Sequence, residues 1–233
     1  MTTRHDPYAA FRQSDYRRYL LGWLAALLGT RIQSVAIGWE IYQRTGEALA
    51  LGMVGLVQAL PTILLALPAG YLADRWPRRR LIMLSLAGMT LTSLGLALVS
   101  WIQGPILLMY GLLLLDAACV AVGRPARLAL LPRLVPRVAF SNAVTWNTSM
   151  FQISSVVGPA IGGFVIAAHV PSAYLLAACG SVVFVLLLAR MNLASAAEAP
   201  GEAGETDRLA NLLAGMRFVR RKRVILAAVS LDM

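Results

Sequence analysis

Six apolar runs divide this chain, at 20–41, 49–73, 81–102, 105–122, 143–168 and 173–189. Each approaches or exceeds the ~20 residues that carry a helix across a bilayer core. That spacing leaves little choice of fold. A soluble domain needs more charge to cover its surface than the 14% charged residues present here, against 58% hydrophobic residues and a mean hydropathy of +0.68. A transmembrane β-barrel would show short alternating segments, and none occur. Pro61 and Pro159 inside the runs do not argue against helices, because neighbouring helices satisfy freed backbone groups in a membrane. The expected fold class is an all-α membrane protein of six transmembrane helices.

The expected organisation is a cytoplasmic tail over 1–19, a six-helix bundle over 20–190 and a linker over 191–223. A seventh span opens at 224 and stops at Met233, about half the length a crossing needs, so it reads as truncated. No cleavable signal peptide is expected, because the first apolar run is too long and lacks a small-residue cleavage site. Within the linker, Asp207 stands ahead of Leu209, Leu212, Leu213, Met216 and Val219 on one helical face, an interfacial amphipathic pattern. Cys119 and Cys179 both fall inside runs and read as small apolar packing residues.

The net charge of +10 is distributed by topology. Of the 21 Lys and Arg, 19 fall in the N-terminal tail, the 74–80 loop, the 124–137 stretch and the segment from Arg190 to Arg223. All four regions share one side if the spans alternate. By the positive-inside bias that side is the cytoplasm, which places the N-terminus there. The 124–137 stretch reads as a broken basic segment along that face. Basic residues interleaved with aromatics are missing, which excludes nucleic acid as the expected partner.

Ionisable groups at membrane depth are costly and mark candidate sites. Arg31 lies mid-way along the first run and Asp116 mid-way along the fourth. If 1–102 and 105–189 are two three-helix inverted repeats, these positions are equivalent and near the midplane, where such folds bind substrate. Two readings stand: a substrate or proton site, or a fixed structural ion pair. Thr145, Thr148, Gln152 and Ser155 share a face of the fifth run, with Pro159 and Gly162 continuing it. Gln152 is the expected cavity contact there, and the others read as interhelical packing. Gly52, Gly55, Ala59, Thr62, Ala66 and Ala69 form a small-residue stripe that reads as packing alone. Trp39 and Glu40 read as an interfacial end of the first span, and His169 as a solvated loop residue. No nucleophile–base set, metal-ligand cluster or phosphate-binding glycine loop occurs, so neither an enzyme nor a bound cofactor or metal is expected.

The stretch GYLADRWPRRRL at 70–81 sets one acid among four arginines between two apolar runs. Gly70, Asp74, Arg75, Arg78 and Arg79 resemble the loop signature of the major facilitator superfamily, with Pro77 where a glycine is usual. Gly158, Pro159, Gly162 and Gly163 look like the core of that superfamily's antiporter motif, with Ser154 at an upstream position that is usually glycine. PARLALLPRLVP at 125–136, Ser141-Asn142-Ala143, Asn147 and the segment at 38–61 are similar to the enterobactin-exporter and macrolide-efflux-like branch. The resemblance implies the N-terminal six-helix half of a twelve-helix transporter in a bacterial inner membrane. It further implies proton-coupled efflux of small hydrophobic molecules, siderophores or drugs, by alternating access. A C-terminal half would then be a required partner, and Asp74 would end its helix as a gate contact paired with Arg78. A non-transporting membrane scaffold or regulatory module is the alternative.

Overall fold

The computed structural model describes residues 8–191, which fall in one compact unit. The linker over 191–223, apart from Met191, and the seventh span over 224–233 therefore lie outside the described residues. Among the described residues the regular structure is entirely helical. The helices are α1 (Ser14–Thr45), α2 (Ala48–Leu64), α3 (Ala66–Arg75), α4 (Arg78–Trp101), α5 (Ile106–Leu134), α6 (Phe140–Ala168) and α7 (Val170–Ala189), with short 3-10 turns at Ala9–Arg12 and Arg137–Ala139. Five of them, the α6 stretch being taken together with the turn before it, are long and apolar enough to cross a membrane, and α2 with α3 supplies a sixth crossing as a bent pair.

The run at 49–73 thus differs from a single straight helix. It bends by 49° between α2 and α3. Pro68 has no N–H for the Leu64 carbonyl, and its ring pushes that carbonyl aside. The ladder recovers at once, with Leu65 N–H on the Pro61 carbonyl and Ala69 N–H on the Leu65 carbonyl, both at 2.8 Å. The 124–137 stretch is also corrected. It is not a separate broken segment, because α5 continues through Pro125 and Pro132 to Leu134. Burial of Ala126, Leu130, Leu131 and Leu134 in one apolar cluster holds the helix together across both prolines. At the other terminus, α1 already begins at Ser14, inside the stretch read as tail, and buries Tyr16 and Tyr19.

Helix α1 packs on α6 and α7, α5 packs on α2, α3 and α4, and α4 packs on α7. Exchanging α1 with α5, α2–α3 with α6 and α4 with α7 leaves these principal pairings unchanged. Each set makes three crossings, an odd number, so the second set must enter from the opposite side. The bundle is therefore two three-helix inverted repeats.

Close helix approach rests on glycine. A Cβ at Gly29 would lie 2.8 Å from the Ala177 Cα, and one at Gly180 would lie 3.0 Å from the Ala25 carbonyl carbon. The obstacles are backbone atoms, which cannot rotate away. Gly29→Val is expected to destabilise the bundle by ~1–3 kcal/mol or more. Thermal unfolding of the purified protein in detergent measures this, with Gly111→Ala as the silent control, since nothing lies within 4 Å of a Cβ there. The small-residue stripe of the second run does not pack as expected. Gly52 and Gly55 face open space and Ala59, Thr62 and Ala66 are exposed, while Ala69 is buried as expected. The buried face is instead Ala50, Val54 and Pro61, because Val54 and Ala50 complete an apolar cluster with α1, α4 and α5.

Candidate functional site

Two apolar clusters fill the bundle, one at each end, and a polar layer separates them. On α4 the end clusters contribute Met89 and Leu96, and Thr92 and Ser93 lie between them. Asp116 projects from α5 into the same layer, and Gln33 from α1. All four side chains are buried, Asp116 with 6% of its surface exposed. The Thr92 hydroxyl donates to Asp116 Oδ1 at 2.7 Å, and the Ser93 hydroxyl donates to Gln33 Oε1 at 2.7 Å. Gln33, its oxygen taken by Ser93, lies within reach of the Asp116 carboxylate. The two bonds tie α4 to α5 and to α1. A buried acid persists when its oxygens are satisfied in this way.

The layer opens on one side into a cleft of about 230 Å³ between α1, α2 and α5. Arg31, Ser34, Gln58, Thr62 and Asp116 supply its polar walls. Arg31 and Asp116 thus share a cleft, yet they form no ion pair. The Arg31 guanidinium instead lies over the Phe151 ring of α6, 4.8 Å from its centroid, a cation–π contact. Gly158 makes that arrangement possible, since a Cβ there would come within 3.2 Å of Arg31 Cγ. Gly162, one turn further along α6, faces the Ile32 backbone, whereas Gly163 faces open space and Pro159 is half-buried. Two glycines of the antiporter-like motif therefore serve to seat Arg31 and Ile32 against α6.

Gln152 is not brought to that cleft. It is exposed on α6 and lines a separate, shallower depression with Thr145, Thr148 and Ser149. The hydroxyls of Thr145, Thr148 and Ser155 bond back to carbonyls of their own helix rather than across to another. This exposed polar face is the reverse of the interhelical packing expected for them. Packing falls to Ala143, Ser154, Gly158 and Gly162.

At the basic end of the bundle, the arginines of the 70–81 stretch hold helix ends. Arg78 donates to the Ala129 carbonyl of α5 at 3.0 Å, and Arg79 to the Ala189 carbonyl at the end of α7 at 2.7 Å. Arg75 stacks over Tyr71. Asp74 is exposed at the end of α3, within electrostatic reach of Arg78. Gly70 has no neighbour within 4 Å of a Cβ. Pro77 is tolerated in place of glycine because its φ of −54° is ordinary for proline, and its carbonyl accepts the first bond of α4 from Leu81 N–H.

The opposite end holds a second buried polar group that the sequence alone did not reveal. Glu40 is 3% exposed, so it is no interfacial residue. Its two oxygens bind Arg44 and the Tyr174 hydroxyl of α7, the latter at 2.8 Å. Arg44 also donates to the Gly104 carbonyl at 2.9 Å in the turn between α4 and α5. The i, i+4 spacing of Glu40 and Arg44 was the available signal. Gln33, Thr92 and Ser93 carried none, being ordinary polar residues inside apolar helices.

The family model for transmembrane secretion effectors matches residues 5–231. Curated relatives include the staphyloferrin A transporter of Staphylococcus aureus, 29% identical over 69% of this chain and 41% of that protein. The multidrug efflux pump Tap of Mycobacterium tuberculosis is 28% identical over 92% of this chain and 53% of its own length. The enterobactin exporter EntS of Shigella boydii is 30% identical, over 88% and 49%. The chain spans about half the length of the curated relatives it matches. With its two inverted three-helix repeats and its 70–81 signature, the chain belongs to the transmembrane secretion effector family of major facilitator transporters.

Proposed function

We propose that this chain forms the N-terminal half of a secondary active exporter of small hydrophobic molecules, of siderophore or drug type. The observation that carries the reading is the buried Asp116 carboxylate, tied to Thr92 and Gln33 and open to the cleft it shares with Arg31. A carboxylate at that depth can exchange a proton or meet a cationic group, whereas a purely structural bundle gains little from one. Transport rather than catalysis fits relatives that are named transporters and exporters.

In this reading the transporter works by alternating access coupled to protons, and a second six-helix half supplies the other cavity wall. The open faces of α2 and α6, with Gly52, Gly55, Thr148 and Gln152, are where that half would sit. The N-terminus and the 70–81 loop are cytoplasmic, by the arginine bias. Arg31, Asp116 and Gln152 serve the cavity, and Gly158, Pro159, Gly162 and Gly163 set how α6 moves on α1. Arg78 and Arg79 anchor the gating loop to α5 and α7. Gly70 and Arg75 shape the end of α3, so that Asp74 can meet a helix N-terminus in one conformation and release it in the other.

An efflux assay in a pump-deficient host expressing the complete gene product tests the assignment. Arg31→Ala and Asp116→Asn should each reduce export, and full export in both would overturn the midplane site. Asp74→Asn should slow export several-fold while leaving membrane insertion intact, consistent with loss of a helix-terminus contact worth ~0.3–2 kcal/mol. Wild-type turnover in that variant would remove the latch.

A further inference from the structure

Arg18 of α1 and Arg79 of α4 converge on the end of α7, where Arg190 follows its last residue. Arg79 donates to the Ala189 carbonyl at 2.7 Å, and Arg18 donates to the Arg190 carbonyl at 2.9 Å and to Asp15. Each guanidinium carries five N–H donors, so both retain several after these bonds. Asp15 offsets part of the positive charge. The Arg190 side chain is exposed.

Below these charges the surface turns apolar along the helix direction. Leu186, one turn before Arg190, is 57% exposed, and Leu21, one turn after Arg18 on α1, is 61% exposed. Val183 continues the strip on α7. A cationic cluster at the end of a crossing, set over exposed aliphatic side chains, matches the two-part chemistry of a phospholipid. The headgroup phosphate faces guanidinium donors and the acyl chains lie along the strip.

We propose that the Arg18–Arg79–Arg190 cluster is a binding site for one anionic phospholipid headgroup at the membrane boundary. The proposal does not depend on what the transporter carries. It rests on the reading that this end of the bundle lies at a bilayer surface. The phosphate would accept from the guanidiniums that already cap the C-terminal carbonyls of α7, and so hold α1, α4 and α7 together at that end.

The test uses the complete protein purified in detergent, titrated with phosphatidylglycerol or phosphatidylcholine. Bound lipid is counted by native mass spectrometry, and thermal unfolding is followed in parallel. Wild type should bind phosphatidylglycerol in preference, and each arginine removed should weaken that binding about fivefold, the effect of one basic residue at an anionic surface. Arg190→Ala is the key variant, because among the bonds described here only its backbone carbonyl takes part, so the protein should still fold. Arg18→Lys should retain most of the preference, and Arg137→Ala should not change it. Equal binding of the two lipids, or an unaltered preference in Arg190→Ala, overturns the proposal. Equal stabilisation by inorganic phosphate alone would make this a free-phosphate site and overturn it as a lipid site.

Discussion

Cells producing Asp116→Asn should export about 10- to 100-fold less than wild type, with protein level and thermal unfolding close to unchanged. Asn has the shape of Asp and can still accept the Thr92 hydroxyl, so the packing between the two apolar clusters survives. What it loses is the charge and the exchangeable proton. A hydrogen bond to a charged group contributes ~1.5–3 kcal/mol, which corresponds to that range of rates if the charge acts in the transport cycle. Thr92→Val and Gln33→Ala should reduce export less, since each removes one partner and leaves the carboxylate. If Asp116→Asn exports normally, the polar layer is a structural device only. The shared cleft with Arg31 then has no role in coupling.

Glu40→Ala should be the most damaging of the substitutions for the fold itself. Arg44 is nearly buried, with 14% of its side chain exposed, and Glu40 is its acidic partner. Removing one member of a buried pair strands the other charge and costs ~3–5 kcal/mol. The Tyr174 hydroxyl loses its acceptor at the same time. The expected result is a large fall in thermal stability and in the yield of folded protein. Replacing both partners, Glu40→Met with Arg44→Met, should recover much of that loss, because no buried charge is then stranded, although the Tyr174 hydroxyl still lacks its acceptor. A single variant as stable as wild type would mean that the pair contributes nothing at this end of the bundle.

The contrast between Asp116 and Glu40 shows where sequence reading succeeds. Asp116 was legible because an acid in the middle of a long apolar run has few explanations. Glu40 lies near the end of its run beside Trp39, where an exposed acid is commonplace. Only the approach of Tyr174 from a helix 134 positions away buries it. The same limit explains Thr148 and Gln152. Their spacing puts them on one face, but spacing cannot say whether that face meets a helix or an open cleft. The stripe at Gly52 and Gly55 looked like a packing surface for the same reason, and the second run in fact packs through Val54 and Pro61.

The sequence by itself determined the number of crossings, the grouping of arginines at one end and the family signature. These follow from local quantities: apolar run length against bilayer thickness, and charge counted loop by loop. The tertiary structure alone decided what each polar side chain does. It turned Arg31 onto Phe151 rather than Asp116, joined Gln33, Thr92 and Ser93 into the layer around Asp116, and set Arg79 on the end of α7. A hydrogen-bond partner or a stacking ring comes from a distant helix. Its identity depends on crossing geometry fixed by glycine contacts such as Gly158 against Arg31, which no single helix encodes.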